Sequence, residues 1–558
     1  MSRRTKLQSA IALHQQGQLD AASQLYVDIL STDPQEAECW HMMGVIATQK
    51  NDPTLAVELM QHALTLQQGN AALHCNLGFA LQATGQLQAA LHSYDQAVAC
   101  DPQFAQAFYN RANAHKALNH NAQALQDYKQ ALSINPAYCE AHLNAGLVCQ
   151  DLDQQTQALA HFEQAIALQP QLASAHFNRG NALKALGQAQ QALACYDQAI
   201  ALDAHYAQAH YNRGTVLQDQ LALEQAIASY DQAIAADPSY AQAHWNKANC
   251  LLLLGKLEQA WPLYEWRWQT PSTGLTARTF KQPLWLGQAP LHNQTILLHC
   301  EQGLGDTLQF CRFAQQLAQR GARVVLEVPP ALFGLLQRLQ GVSHCIQQGD
   351  PLPDFDWHCP LLSLPLALGV TLHNLPAQAP YLFADPQKLA LWAQKLGARS
   401  GPRVGLVWSG SAQHANDKNR SLALSQLLAA LPPLANCVSL QKEIRPHDAQ
   451  TLQQTPQLLH FGDQLQDFED TAALCSLMDL VISVDTSVAH LAGALGRPTW
   501  VLLPHVPDWR WMLNRSDSPW YSAMRLYRQD ERRDWSTVLA QLVNDWIKHS
   551  HTLGATDV

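Results

Sequence analysis

At 558 residues the chain exceeds what one hydrophobic core supports, and its length alone indicates three or four domains. Hydrophobic residues make up 47% against 14% charged, which excludes a disordered chain, and a net charge of -10 without a basic stripe argues against a nucleic-acid partner. The start, Met1-Ser2-Arg3-Arg4, leads into an amphipathic segment carrying Gln8, His14 and Gln15, where an export signal needs an unbroken apolar run. The most apolar stretch, Pro360 to Val370, is interrupted by Pro365 and falls short of the roughly 20 residues of a spanning helix. The expected location is cytoplasmic, with membrane association at most peripheral. Thirteen cysteines without a Cys-x-x-Cys pair and 25 histidines without a His-Glu-x-x-His pattern give no metal site.

The amino-terminal half repeats. Pro34, Pro102, Pro136, Pro170 and Pro238 fall on one 34-residue grid, with Gln68 and Ala204 in the two remaining places. Gly44, Gly78, Gly146, Gly180 and Gly214 share the grid, Ala10, Ala112 and Ala248 standing as small substitutes. A column of alanines (Ala22, Ala56, Ala90, Ala124, Ala158, Ala192, Ala226, Ala260) is followed four residues later by Tyr26, Met60, Tyr94, Tyr128, Phe162, Tyr196, Tyr230 and Tyr264. Small residues that let two helices approach, a large side chain beside them and a proline that ends the pair make the pattern of tetratricopeptide repeats. Eight registers, over residues 1–272, predict an α solenoid with a concave face that binds protein.

One further column recurs: Asn76, Asn110, Asn144, Asn178, Asn212 and Asn246. Asparagine is a mediocre helix former, so its repetition needs a reason. Either the amides brace neighbouring helices, or they line the concave wall as a ladder that donates to and accepts from an extended peptide. The second arrangement resembles the superhelix of the O-linked N-acetylglucosamine transferases, a resemblance that implies a polypeptide acceptor.

Residues 273–294 form an aromatic-rich joint. Trp261, Tyr264, Trp266, Trp268 and Trp285, with Pro262, Pro271 and Pro283, mark a fixed packing surface more readily than a flexible linker.

From Thr295 short apolar runs alternate with helical segments, predicting doubly wound α/β architecture. A first half over 295–386 reads as strand Thr295 to Cys300, helix to Arg320, strand Arg323 to Val328 and helix Ala331 to Leu339, and Cys300-Glu301-Gln302-Gly303-Leu304-Gly305-Asp306-Thr307 makes the first βα turn on its two glycines. A second half over 387–550 opens with helix Gln387 to Leu396. Its strands run Val404 to Trp408, Cys437 to Leu440, Leu458 to Phe461, Val481 to Val484 and Thr499 to Leu503. Helices Leu424 to Ala430, Phe468 to Met478 and Val488 to Leu495 intervene, and 551–558 is a tail. Two such halves facing each other place a ligand crevice at the carboxyl ends of both strand sets.

Gly303-Leu304-Gly305-Asp306 together with Asp485-Thr486-Ser487-Val488-Ala489-His490-Leu491-Ala492 resembles the heptosyltransferase-type (family 9) inverting glycosyltransferases of bacterial cell-envelope synthesis. The resemblance spans roughly Trp285 to Asp545. It implies a GT-B fold of two Rossmann-like halves, a nucleotide-diphosphate sugar as co-substrate and no cofactor. It also implies Asp306 as the catalytic base, with Gly303 and Gly305 presenting it on the acceptor side. Lys418 becomes the cation on the donor phosphates, with Arg420 beside it, and Glu443 the acid that holds the ribose.

On physical grounds, Ser409-Gly410 would let backbone approach a nucleotide, and the helix amino terminus at Thr486 and Ser487 would hold a diphosphate. Asp485 would accept from sugar hydroxyls or the turn, with His490 one helical turn on. Asp306 and Asp485 can equally be helix caps. Asp354-Phe355-Asp356, in a proline-rich loop, is expected to shape the acceptor side with Trp357 and His358 instead of binding metal. Asp508-Trp509-Arg510-Trp511 either closes over the cleft or packs between domains.

The expected function is metal-independent, inverting transfer of a sugar to a protein recruited by the repeats, such as flagellin or another surface protein. A lipid-linked or polysaccharide acceptor, and a catalytically inactive peptide-binding scaffold, are the alternatives.

Overall fold

A computed structural model describes residues 2–399, 401–414, 416–431 and 436–553. Sixteen helices run in pairs from Arg3–Gln15 and Leu19–Leu30 to Ala241–Leu253 and Leu257–Tyr264. The small and large columns meet as expected. A β-carbon placed on Gly44, Gly78, Gly146 or Gly180 would stand 2.5 to 2.6 Å from Met60, Tyr94, Phe162 and Tyr196 respectively. Glycine is therefore required by close approach, and Tyr94, Phe162 and Tyr196 are fully buried in return.

Five histidines also fall on the 34-residue grid, and they have a structural purpose. A ring nitrogen of His74, His142, His176, His210 and His244 lies 2.8 to 3.1 Å from the carbonyl of the grid residue six places earlier, and Trp40 Nε1 donates to Pro34 in the same way. Each ring thus ties down the turn that precedes its helix. A second column, unseen in the sequence, is ionic: Arg111 with Asp95, Arg179 with Glu163, Arg213 with Asp197 and Lys247 with Asp231 pair at one fixed spacing of 16 residues.

The chain divides into two compact units, Met1–Val216 and Leu217–Val558. The boundary lies inside helix Ala207–Asp219, not at residue 272, because the last repeats pack with the α/β region. Trp261 donates to the Val370 carbonyl, and both Trp261 and Tyr264 meet Trp509 edge-on at 5.7 and 5.9 Å. Arg267, fully buried, donates to Glu265, Glu301 and Ser363. Trp261, Tyr264 and Arg267, at the end of the repeats, are thus packed against the α/β region.

The second unit holds two wholly parallel sheets. The first contains β1 (Thr295–His299), β2 (Arg323–Val328), β3 (Val342–Gln347) and β4 (Trp357–Pro360) in the order β3-β2-β1-β4. The second contains β5 (Val404–Val407), β6 (Cys437–Ser439), β7 (Leu458–His460), β8 (Leu480–Val484), β9 (Thr499–Leu503) and β10 (Met524–Arg528) in the order β10-β9-β8-β5-β6-β7. Trp408, Leu406, Ile482, Leu502 and Trp546 share the core beside that second sheet. Trp408 is pinned there by donating to buried Asp448, which also accepts from the Leu424 amide.

Three strands escape a periodicity reading: β3, β4 and β10. Each is the edge of its sheet. Edge strands carry polar residues and proline because one side of the ladder faces outward, and β3 is accordingly exposed at Ser343 and His344 while Pro360 ends β4. Helices Pro446–Gln453 and Ser536–Leu553 were likewise unforeseen. The last of these runs into the expected 551–558 tail, of which residues 554–558 lie outside the described residues.

In Asp354-Phe355-Asp356 the last two residues serve the sheet. Asp356 accepts from the Thr295 amide at 2.7 Å and donates its own amide to the Thr295 carbonyl, while Phe355 packs on Leu297, Val325 and Ile346. Both bonds sit where β1 begins, the end away from the cleft.

Candidate active site between two parallel sheets

In each sheet the strand order reverses at one place, between β1 and β4 in the first and between β5 and β8 in the second. Chain leaving adjacent strands on opposite sides of such a point opens a crevice at their carboxyl ends. Residues 302–306 follow β1, Ser409 and Gly410 follow β5, and Asp485, Thr486 and Ser487 follow β8. These segments line one cleft of about 1090 Å³.

The β1 turn is not made by left-handed glycines. Gly303 has φ -67° and caps helix Leu304–Phe310, its amide donating to Asp306 Oδ2 at 2.9 Å. Gly305 is needed for packing: a β-carbon there would lie 3.0 Å from His490 Cδ2 and 3.5 Å from Ser487 Cα. Gly305 therefore lets the Asp306 helix lie against helix Ser487–Ala494 from the other sheet.

Asp306 caps its helix and also pairs across the cleft. Its Oδ1 accepts from Arg510, and Arg510 donates to both oxygens of Asp508 at 2.9 and 3.0 Å. The guanidinium lies over Trp509 at 4.3 Å. Burial pushes the Asp306 carboxyl up, opposed mainly by Arg510. The same burial acts on Asp508, but Arg510 outweighs it and leaves Asp508 below the usual carboxylate range. Asp485 makes no ion pair among the described residues, and burial with the Asp508 charge outweighs Trp511, Arg420 and Arg510 and raises it to about 7. A carboxyl near 7 accepts or donates a proton in the neutral range.

On the second sheet, Ser409 is 3% exposed and its Oγ makes no hydrogen bond among the described residues. Gly410 lies under Arg420, whose Nη2 would stand 2.5 Å from a β-carbon at that position. Arg420 donates to the Asp485 carbonyl at 2.9 Å and keeps a buried, unbonded Nε. It lines the cleft, whereas Lys418 is exposed and lies outside the lining. The physical reason is the short helix Asp417–Arg420, which turns Arg420 inward and Lys418 outward. Of these two cations Arg420 lines the cleft and the expected Lys418 does not.

Arg445, which the sequence did not single out, adds a second cation. It lines the cleft beyond β6 and donates to the Gly410 carbonyl at 3.0 Å and to Asp417 at 2.5 Å. Glu443 is exposed on the cleft rim, and Lys442 does not neutralise it but reaches the Gln466 carbonyl.

Thr486 stands at the cap of helix Ser487–Ala494, and its hydroxyl meets Ser483 Oγ at 3.2 Å, not the helix amides. The first amides of that helix have no intrahelical acceptor and carry the positive end of the helix dipole. His490 is not a free ligand. It is buried between Trp511, stacked at 5.1 Å, and Tyr521, whose hydroxyl lies 3.0 Å from Nδ1; burial drops its pKa to about 3, so it is neutral.

In the helical repeats the asparagine ladder is largely spent on its neighbours. Asn76 Nδ2 meets His41, Asn110 donates to Cys75 Sγ, Asn144 to Tyr109 and Asn113, Asn212 to Asn181, and Asn246 to Tyr230. Asn110 is also buried. These bonds are the bracing arrangement. At Asn178 the backbone carbonyl accepts from Gln150.

Among the described residues no group of three or more His, Cys, Asp or Glu side chains could hold a metal ion, and no helix is long and apolar enough to cross a membrane. The cleft wall also includes Asp219, from the end of a repeat helix, whose carbonyl accepts from Arg533 at 2.7 Å. No periodicity signals that contact, since it joins residues 314 apart in sequence.

Models of the TPR repeat match residues 82–119, 149–187 and 180–220, and models of the tetratricopeptide repeat match residues 37–70, 105–138 and 213–265. The protein FlbA of Caulobacter vibrioides is 22% identical over 316 residues, covering 52% of this chain and 52% of its own length. The chain thus spans about half the length of the curated relative it matches. Among solved structures, YrrB, described as a TPR protein with an unusual peptide-binding site, is 25% identical with a TM-score of 0.31, covering 34% of this chain and 96% of its own. PilF of Pseudomonas aeruginosa is 19% identical with a TM-score of 0.34, covering 36% and 92%. The amino-terminal part of this chain is an array of tetratricopeptide repeats joined to an α/β region of two parallel sheets.

Proposed function

We propose that the α/β region is a GT-B glycosyltransferase, moving a sugar from a nucleotide-diphosphate donor, with inversion and without a metal, to a polypeptide brought by the repeats. The observation that carries this reading is one cleft with two unlike walls. On one side, Ser409 Oγ, Arg420 and the amino end of helix Ser487–Ala494 converge beyond β5 and β8. On the other stands Asp306.

In that arrangement Ser409, the helix amides, Arg420 and Arg445 bind the diphosphate and stabilise the charge that builds on it as the bond to the sugar carbon breaks. Asp306 takes the proton of the acceptor hydroxyl as its oxygen bonds to the sugar carbon from the opposite face. The carboxylate then holds the proton and the diphosphate leaves with the electron pair. Tetratricopeptide arrays bind peptides and proteins, and Asp219 places the end of a repeat helix on the cleft wall, which favours a polypeptide over a lipid-linked or polysaccharide acceptor.

The Arg510 pairing favours a second reading, a peptide-binding scaffold without transfer, because it engages the carboxylate that would act as base. Thermal stabilisation by nucleoside diphosphates separates the two. The transferase reading predicts that at least one raises the melting temperature, by mass action on the native state; no stabilisation by any of them favours the scaffold.

A further inference from the structure

Arg510 spends every visible bond on carboxylates from both sides of the cleft. One terminal nitrogen donates to Asp306, and the other spans both oxygens of Asp508, whose backbone partner is the Arg510 amide itself. Its stem and plane are locked between Trp509, at 4.3 Å, and Phe310, at 5.8 Å, and only 6% of the residue is exposed. Nε is buried without an acceptor, a cost that a guanidinium meets only where its other donors are well placed.

Asp306 is held just as fully: Arg510 bonds one oxygen and the Gly303 amide the other. A carboxylate oxygen accepts at two lone pairs, so each keeps one for a substrate hydroxyl. The other charged or titratable groups that face Asp306 are Asp508 and His414, with Tyr264 and Glu301 farther back. Arg510 is the cation in direct contact with Asp306, set against the two acids Asp508 and Glu301.

We propose that Arg510 is a positioning residue that holds the Asp306 carboxylate in its charged form and fixes its direction toward the acceptor. This rests on Asp306 being the base of the proposed transferase. It acts through Asp306 and touches no reacting atom. Asp508 in turn orients Arg510, so the three residues form a relay from the loop after β9 to the helix after β1.

The test uses the full chain labelled at aspartate carboxyl carbons, the Asp306 resonance being assigned by its loss in D306N. Its titration midpoint should rise by about one pH unit or more in R510Q, and by a smaller amount in R510K, which keeps a charge but cannot span both carboxylates. An R510Q midpoint equal to wild type overturns the proposal, and if R510Q does not fold, an unchanged midpoint in R510K does so.

A second arm follows the pH dependence of kcat/KM for hydrolysis of UDP-N-acetylglucosamine, GDP-mannose and ADP-glucose. The acid limb should move upward with the midpoint. Turnover without that movement overturns the proposal and leaves the transferase reading intact. A raised midpoint in a protein that turns over none of the three leaves Arg510's hold on Asp306 standing and counts against the transferase reading.

Discussion

Gly305 approaches His490 so closely that a β-carbon on the glycine would lie 3.0 Å from the imidazole Cδ2. The contact joins the helix that carries Asp306 to the helix that offers its amino end to the cleft. His490 cannot yield, since Trp511 stacks on it and Tyr521 holds Nδ1.

Gly305→Ala is therefore expected to cost about 1–3 kcal/mol, the usual penalty of overpacking a fixed contact. It should also lower transfer activity more than donor affinity, because it pushes Asp306 away from the second sheet. Denaturant melts alongside donor titration and turnover check both parts. Gly303→Ala meets only Asp306 Oδ2, at 3.5 Å, and should cost less.

The two loop cations give opposite expectations. Arg420→Ala should weaken nucleoside diphosphate binding about tenfold or more, as loss of a partly buried charge-assisted contact does, whereas Lys418→Ala should change it by less than about twofold. Calorimetric titration of the best-binding diphosphate reads both. Equal losses at the two positions would restore Lys418 to the site.

The ladder asparagines are expected to act first on stability. Asn212→Ala removes the donor to Asn181, 2.8 Å away, and Asn144→Ala removes donors to Tyr109 and Asn113. Each should cost about 1 kcal/mol of repeat stability and leave diphosphate binding unchanged. Thermal melts and donor titration check this, and a loss of acceptor binding without any loss of stability would instead favour the peptide-ladder role.

Acid should destabilise the fold through buried neutral histidines. Burial lowers His41 and His161 to about 4 and His299 and His490 to about 3. A base whose folded value is depressed leaves the unfolded chain binding more protons below its ordinary value, so stability is present above pH ~6.5 and is lost as pH falls through ~4 to ~3. At pH ~5 each group contributes on the order of 2 kcal/mol to that loss. Asp485 works in the other direction: its folded value is raised to about 7, so its contribution is present below pH ~4 and lost as pH rises to ~7. Asp485→Asn should therefore raise the melting temperature at pH ~8 relative to wild type, provided the protein carries no ligand.

The repeats were legible in the sequence because one supersecondary unit recurs and each position keeps its packing partner, as Gly78 keeps Tyr94. The central strands β1, β2, β5, β8 and β9 were legible because a strand buried on both faces reads as an apolar run. Of the four edge strands only β7 was, since β3 and β10 mix polar residues into the ladder and β4 is four residues long and ends in proline. In the site, the carboxyl ends of β1, β5 and β8 were predictable from the strand pattern, and so were Asp306 and the Thr486–Ser487 cap. Which cation faces inward was not, because it depends on a single helical turn at Asp417–Arg420. The partner of Asp306 lies 204 residues away, at Arg510, and the amides of Asn76, Asn110, Asn144 and Asn212 meet residues 31 to 35 positions earlier in the chain, distances at which one sequence carries no pairing signal.

The most direct test is release of nucleoside diphosphate from UDP-N-acetylglucosamine, GDP-mannose and ADP-glucose by wild type and Asp306→Asn, with donor binding measured on both. The account predicts turnover of at least one donor by wild type. Asp306→Asn should lose activity by about a hundredfold or more, the usual loss on removing a general base, while its donor affinity stays within about twofold. Wild type that binds none of the donors, or Asp306→Asn that turns over at the wild-type rate, would contradict it.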